Sequence, residues 1–458
     1  MSNQINFSNN YSELRSKSKY YIDLYNDLYR LNTENEDELK KIYNMIKLNL
    51  IDSKKYSIEN IIRDILIIIQ YNNRYAKSYM RLVQHISKDY RVKDIKTVPE
   101  TCKCMLFKDN QVKLKMSDCF NKEIIADLDY YAANTIYGAI ASNDLKRFIS
   151  FTENELFNKN QVLKSKLYSI SDNGYSLLEL CCYYGAVDCF KFLRTNFKSE
   201  ITQTCLYFLL LGGNPDIISE CLKYQKPDKE CMKYAIISHN IDFVTFLRNE
   251  HNIEINLEYC EIYNNLESFL VYLDITNDVN SCLIYSPLFD IPSLCENVLF
   301  LGANINSKDS YGNTVLNIAV HLNNIALMEL LLSHGANINE KDKFGDTALH
   351  LAASYNNNKM IKFLLSHGAN INEKDINGEI ALHKAMHFNN IDAIKLLLSH
   401  GANVNEKNKN GRTPLYDAML DNNKKLIKIL LSYRANVNEK NRNGDTLLHL
   451  AACKDDKK

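Results

Sequence analysis

The sequence predicts an all-α fold, an α-solenoid of stacked helix pairs. Glycines recur every 33 residues in the last third of the chain, a related helix pattern recurs at shorter spacing through the middle, and the first 128 residues show helical periodicity without a repeat. With 458 residues, 46% of them hydrophobic, the chain has material for two or three units with buried cores.

Residues 1–128 read as a helical N-terminal domain of unknown role. Tyr21, Leu24, Leu28 and Leu31 fall on one helix face, and Thr33 with Glu36 has the spacing of a capping box before Leu39, Ile42, Ile46 and Leu50. Ser57 opens a further helix through Ile61, Ile65, Leu66 and Ile69 to about His85.

Residues 129–300 read as helix pairs. An acidic residue opens each second helix two positions after an Asn, at Asn214, Asn240 and Asn265, as at Asn390 downstream. A carboxylate there suits the positive end of the helix dipole. Taking Asp188, Asp216, Asp242 and Glu267 as equivalents of Asp392, the spacings are 28, 26 and 25, then 26 to Ser293. The apolar slots follow in register: Phe190 and Leu193; Ile218, Cys221 and Leu222; Val244 and Leu247; Phe269, Tyr272 and Leu273; Cys295, Val298 and Leu299. Asp144 marks an earlier pair. The alternative is an unrelated α-domain that shares short helices.

Residues 301–458 carry the regular repeat. Gly312, Gly345, Gly378, Gly411 and Gly444 are each followed by a version of one motif: NTVLNIA from Asn313, DTALHLA from Asp346, EIALHKA from Glu379, RTPLYDA from Arg412 and DTLLHLA from Asp445. A second series, Gly302, Gly335, Gly368 and Gly401, opens G-A-N-[IV]-N ten residues earlier in each copy, where a helix needs a left-handed cap. A short helix from Thr347 and a second one striped by Ile361, Leu364 and Leu365 make up one copy, and the stripe recurs at Met328, Ile394 and Ile427. Neither helix buries its stripe alone, so copies must stack. Arg434 replaces a cap glycine and is expected to be strained; the last copy, ending KDDKK, is expected to fray unless covered.

These motifs resemble the ankyrin repeat, whose signature is T-P-L-H-x-A. The resemblance implies short β-hairpin fingers, as at Lys374 to Gly378, and assigns His350, His383 and His449 to bracing neighbouring loops. On that reading residues 129–300 are degenerate ankyrin-like pairs lacking most fingers, because the shorter spacing removes about the length of a hairpin. Helical head, degenerate middle and regular tail together resemble the protist ankyrin proteins that carry a domain of unknown function before the array.

Composition excludes several functions. Lys+Arg and Asp+Glu both total 55, and residues from 302 onward carry 20 basic against 16 acidic side chains, too mild a bias for nucleic acid. The first residues lack a signal-peptide pattern, and the longest apolar run of the first hundred residues, Ile65 to Ile69, is too short to span a membrane. The 13 cysteines include no C-x-x-C and read as reduced, mostly buried thiols; Cys102, Cys104 and Cys119 lack a fourth zinc ligand. A reducing intracellular setting follows, the cytoplasm first and the nucleus as the alternative. The many Asn residues read as AT-rich codon usage. No phosphate-binding glycine loop, nucleophile elbow or H-E-x-x-H occurs, so no enzyme, metal or cofactor is expected. Asp109 and Asp118 read as solvated charges.

What remains is protein binding. Candidate contacts are Asp309, Tyr311, Lys343, Phe344, Ile376, Lys409 and Arg442 on the finger tips, and His321, Tyr355, His387, Phe388 and Asp421 on the concave helix face. The leading reading is a non-catalytic scaffold for a partner protein. The rival is a substrate-receptor adaptor of an enzymatic complex such as a ubiquitin ligase, with residues 1–128 docking the catalytic subunit; self-association through the N-terminal helices is a further expectation.

Overall fold

The computed structural model describes residues 13–53, 56–92, 134–164, 168, 174–212 and 214–455. The boundary at 128, with Cys102, Cys104, Asp109, Asp118 and Cys119, lies outside them. The chain divides into two compact units, residues 1–277 and 278–458.

In the first unit, α1 (Lys19–Tyr29), α2 (Glu36–Ile46), α3 (Ile58–Ile68) and α4 (Ala76–Tyr90) form the helical head. Two local expectations are corrected. Asn35, not Thr33, caps α2: its side chain accepts from the backbone N–H groups of Asp37 and Glu38 at 2.8 and 3.3 Å. The helix from Ser57 stops at Ile68, because the Asn72 side chain turns away to donate to the Leu31 carbonyl (2.8 Å) and to Tyr79 Oη (3.0 Å). One 3₁₀ turn, Asn73–Tyr75, then leads into α4.

Among the described residues five helix pairs follow in this unit: α5 (Ile136–Ala141) with α6 (Leu145–Thr152), α7 (Leu177–Tyr184) with α8 (Val187–Phe197), α9 (Gln203–Gly212) with α10 (Pro215–Cys221), α11 (Lys229–Ile237) with α12 (Ile241–His251), and α13 (Leu257–Ile262) with α14 (Leu266–Thr276). Asn214, Asn240 and Asn265 cap the second helices with their side chains, and the acid two positions on lies in the first turn. Asp144 caps α6. The buried stripe of α10 is Ile217 and Cys221; Ile218 and Leu222 are half-buried, one residue off the expected register. Among the described residues the only sheet is β1 (Val162–Leu163) antiparallel to β2 (Tyr175–Ser176), just before α7.

The second unit runs α15 (Val279–Tyr285), α16 (Pro292–Phe300), α17 (Val315–His321), α18 (Ile325–Ser333), α19 (Ala348–Ser354), α20 (Asn358–Ser366), α21 (Ala381–His387), α22 (Ile391–Ser399), α23 (Pro414–Leu420), α24 (Lys424–Ser432) and α25 (Leu447–Asp455). Met328 and Leu331, Ile361 and Leu364, and Ile394 and Leu397 are fully buried. The fingers are tight loops, with a single isolated bridge, Lys308 to Thr314, among the described residues. Asp309, Asp342, Asp375, Asn408 and Asn441 each lock one finger, one side-chain oxygen accepting the N–H groups two and four residues on.

Copies are tied together at the base of the fingers. Asn306, Asn339, Asn372 and Asn405 accept from the backbone N–H of Asn337, Asn370, Asn403 and Asn436 in the following copy, at 2.7 to 2.9 Å. Lys308, Lys341, Lys374 and Lys407 pair with Glu340, Glu373, Glu406 and Glu439, again one copy on. These exposed pairs are each worth at most about 1 kcal/mol. Codon bias is therefore not the account of these asparagines: Asn323, Asn356, Asn389 and Asn422 also supply the left-handed residue between the two helices of a pair.

The two glycine series have different tasks. Gly335 is left-handed (φ +86°) with open space where a Cβ would stand, whereas a Cβ on Gly345 (φ +76°) would lie 2.6 Å from the Ile376 nitrogen of the next finger. Arg434 takes the left-handed conformation expected of it, φ 64°. Gly335→Ala should cost about 1 kcal/mol from backbone strain alone, and Gly345→Ala clearly more, because it also pushes two copies apart. Urea unfolding of the two variants checks the order; equal losses would contradict it.

Candidate interaction surfaces

Two rows of side chains stand out from the second unit. On the finger tips, Tyr311, Phe344 and Ile376 are exposed apolar residues, followed by exposed Lys409 and Arg442. Consecutive tips are joined by backbone bonds: the N–H groups of Lys343, Ile376, Lys409 and Arg442 donate to the carbonyls of Tyr311, Phe344, Asn377 and Asn410. The Lys343 ammonium lies 4.3 Å from the Tyr311 ring centroid and 5.1 Å from that of Phe344, so it shields both rings without neutralising its charge. Asp309 differs from its neighbours: its carboxylate is engaged in the loop lock, holding Tyr311 and Asn313, and is not offered outward.

The other row is built by the ends of the first helices. Tyr355 and Phe388 are the C-caps of α19 and α21, and Asp421 is that of α23. All three are exposed, each just before the left-handed asparagine of its turn. The equivalent residue at the end of α17 is Leu322, also exposed. Sequence reasoning named His321 there and missed Leu322, although the 33-residue spacing from Tyr355 points to it. The Tyr355 hydroxyl lies 2.9 Å from His321 Nδ1, and His387 Nε2 is 3.1 Å from Glu379 Oε1, a carboxylate that raises the imidazole pKa.

Histidines inside the array brace it. His350 Nδ1 accepts from the Thr347 N–H and its Nε2–H donates 3.1 Å to the Glu379 carbonyl of the next copy. Burial lowers its pKa and drives that of His383 down to about 4, so both rings are neutral near pH 7. His334, His367 and His400 each lie 2.8 Å from the carbonyl four residues back.

The first unit presents the same row, but covered. Tyr21 Oη donates to Asn264 Oδ1 (2.8 Å), the hydroxyls of Tyr71 and Tyr263 meet at 3.1 Å, and Tyr184 Oη donates to Asn73 Oδ1 (2.8 Å). His239 is the buried latch. Its ring stacks on Tyr29 at 4.1 Å, its Nε2 lies 2.8 Å from the Tyr263 carbonyl oxygen and its Nδ1 2.9 Å from Asn26 Oδ1, so the neutral ring donates to one of these two oxygens, and the Arg30 guanidinium donates to its carbonyl. Burial, with the charge of Arg30, holds the ring neutral and its pKa at about 3. Nothing in the sequence marks this docking, which joins residues more than 200 positions apart.

Among the described residues nine free cysteines, from Cys181 to Cys295, are buried. Burial raises the pKa of most of them; Cys205, beside the Cys182 thiol and Thr202, is shifted the other way. A cavity of about 280 Å³ lies in the first unit between head and helix pairs, with Tyr29, Arg30, Tyr71, Arg74, Tyr183 and Tyr184 among its walls and no carboxylate, thiol or imidazole. Among the described residues no cluster of His, Cys, Asp or Glu is arranged to hold a metal, and no helix is long and apolar enough to cross a membrane.

Residues 197–272, spanning α9 to α13 and part of α14, match the family model of a domain of unknown function, DUF3447. Residues 289–375 and 373–441 match the model for ankyrin repeats in three copies. No curated protein matches the chain. A domain of unknown function thus stands before an array of ankyrin repeats, which are a protein–protein interaction module.

The latch sets a pH dependence. An unfolded histidine titrates near 6.5, while folded His239 stays neutral to about pH 3, so the unfolded chain binds the extra proton in between. Stability that this neutral ring secures is present above about pH 6.5 and is lost as pH falls toward 3. His239→Gln should reduce the drop in Tm between pH 7 and pH 4.5; an unchanged drop would remove His239 from this role.

Proposed function

We propose that this ankyrin-repeat protein is a non-catalytic scaffold that binds a partner protein through two rows of its second unit, the finger tips and the ends of the first helices. The observation that carries the reading is the pairing of a cross-tied core with exposed rings. Tyr311, Phe344, Tyr355 and Phe388 leave large apolar surfaces in solvent, while Met328, Leu331, Ile361, Leu364, Ile394 and Leu397 are fully buried beneath them. Aromatic and Arg side chains are the residue types that anchor protein interfaces. Ile376, Lys343, Lys409 and Arg442 extend the tip row; His321, His387 and Asp421 extend the helix row.

The histidines support a non-catalytic role. His350 is a neutral brace that reaches the next copy's Glu379 carbonyl, and His383 is a buried neutral ring that accepts from the Ile380 N–H, so both are engaged structurally. The buried free thiols support a reducing intracellular setting. The mild charge of the second unit argues for a protein rather than a nucleic-acid partner.

Replacing Phe344, Phe388 and Lys409 together by Ala tests the contact surface. In cell extract, crosslinking with mass spectrometry should place wild-type partner links on Lys343 and Lys409, and the triple variant should lose the partner at least tenfold with an unchanged far-UV helical spectrum. Equal capture by the variant would overturn this assignment.

A further inference from the structure

We propose that the cavity between the head and the helix pairs of the first unit binds a small aryl phosphate, its dianion held by Arg30 and Arg74 and its ring lying against the tyrosine walls. This site belongs to the first unit alone, whatever the second unit binds.

Hydrogen bonds fix the walls. The Asn72 amide donates to the carbonyls on both sides of Arg30, those of Tyr29 (3.4 Å) and Leu31 (2.8 Å). Arg74 follows two residues later on the 3₁₀ turn, so the stems of the two arginines leave segments that are tied to each other. The same turn grips the end of α7: the Asn73 N–H donates to Tyr183 Oη at 3.2 Å, and Tyr184 Oη donates to Asn73 Oδ1 at 2.8 Å. Tyr71 is fixed by its hydroxyl on that of Tyr263 at 3.1 Å. Walls tied in this way are preorganised, which lowers the ordering cost of binding.

Charge selects the sign of the ligand. Arg30 and Arg74 are both walls, and no carboxylate is. Neither forms an ion pair among the described residues, and Asp27, one turn before Arg30 and within its field, lies outside the walls. Nor are the two guanidiniums used up as helix caps. The last carbonyls of α7 are taken by the N–H groups of Gly185 and Ala186, and those of α11 by Ser238 and His239. Arg30 gives one N–H to the His239 carbonyl and keeps the rest of its donors. Arg74 sits over the ring of its neighbour Tyr75, 5.7 Å from the centroid. Both side chains are exposed and within reach of a solute. A phosphate monoester carries about two negative charges at pH 7, which matches two guanidiniums in number, and it accepts from each of them bidentately. A carboxylate would leave one cation uncompensated.

Volume and wall chemistry decide what carries the phosphate. A cavity of about 280 Å³ has room for roughly nine waters and falls just below the size of sites that take drug-sized ligands. It admits a phosphate with one ring and excludes a dinucleotide. Tyr29, Tyr71, Tyr75, Tyr183 and Tyr184 make tyrosine the commonest wall residue. An aromatic ring gains offset and edge contacts against such walls that a sugar or a flexible chain does not. A free aryl phosphate and a phosphorylated tyrosine side chain share this chemistry.

Isothermal titration calorimetry on the intact chain, with phenyl phosphate as the probe, tests the site. Expected is one saturable site whose occupation also raises Tm, because its walls come from both the head and the helix pairs. Benzoate should bind at least about tenfold more weakly, and phenol not measurably. Arg30→Gln and Arg74→Gln should each weaken phenyl phosphate at least about tenfold. Lys77→Gln removes the same charge from an exposed position of α4 outside the cavity and should leave the affinity unchanged. Arg74 makes no hydrogen bond among the described residues, so its variant decides the matter even if loss of the Arg30 bond to His239 loosens the head. A tyrosine-phosphorylated peptide is the second probe. Affinity equal to that of phenyl phosphate identifies a protein side chain as the natural source, and binding of phenyl phosphate alone identifies a free metabolite. Neither heat nor a Tm shift with phenyl phosphate, equal affinity for benzoate, or affinity unmoved by Arg74→Gln would overturn the proposal.

Discussion

A helix pair of about twenty residues cannot shield its own apolar stripe, and everything else in this protein follows from that. Helices such as α19 and α20, seven and nine residues long, are too short to hold together in water unaided. They persist because Ile361 and Leu364 are buried between neighbours. The polar ties at the finger base act in the same direction. An asparagine side chain reaching the next copy's backbone N–H repeats four times, and His350 reaches the next copy's Glu379 carbonyl. Each bond contributes on the order of 1 kcal/mol. Their larger effect is on register, because they set where one copy meets the next.

This division of labour leaves the rims free. Residues that fix the fold lie at stripe, cap and loop-lock positions, where substitution is costly. Tip and C-cap positions vary from Tyr to Phe to Asp without disturbing a buried contact. Asp309 shows how close the two classes lie, since it sits two residues before Tyr311 yet belongs to the lock. The first unit solves the same problem differently, closing its helix-end row with its own head and sealing it by a neutral His239 between Tyr29 and the Tyr263 carbonyl.

How much could be read in advance varied with the range of the interaction. The 33-residue spacing located every helix of the array, and the Asn-x-acid pattern located second helices upstream even though the repeat length drifts between 25 and 28. Errors were local and competitive. Asn35 outcompeted Thr33 as a cap, Asn72 interrupted a helix that its apolar pattern would have continued, and α10 buries Ile217 in place of Ile218. The asparagines were misjudged as a group, because composition cannot distinguish a codon habit from a residue chosen for its left-handed backbone and short amide.

The amino-acid order alone determined the helical repeat, its period, its glycine caps and the exposed candidates at its tips, because all of these are set by neighbours within one turn or one copy. Only the tertiary structure decided that the head lies over the helix ends of the first unit, that the asparagines tie copy to copy, and that Leu322 belongs to the open row. Tyr21 and Asn264, or Arg30 and His239, are brought together by long-range packing, and a contact between sites more than 200 residues apart leaves no periodicity in the chain for either end to reveal.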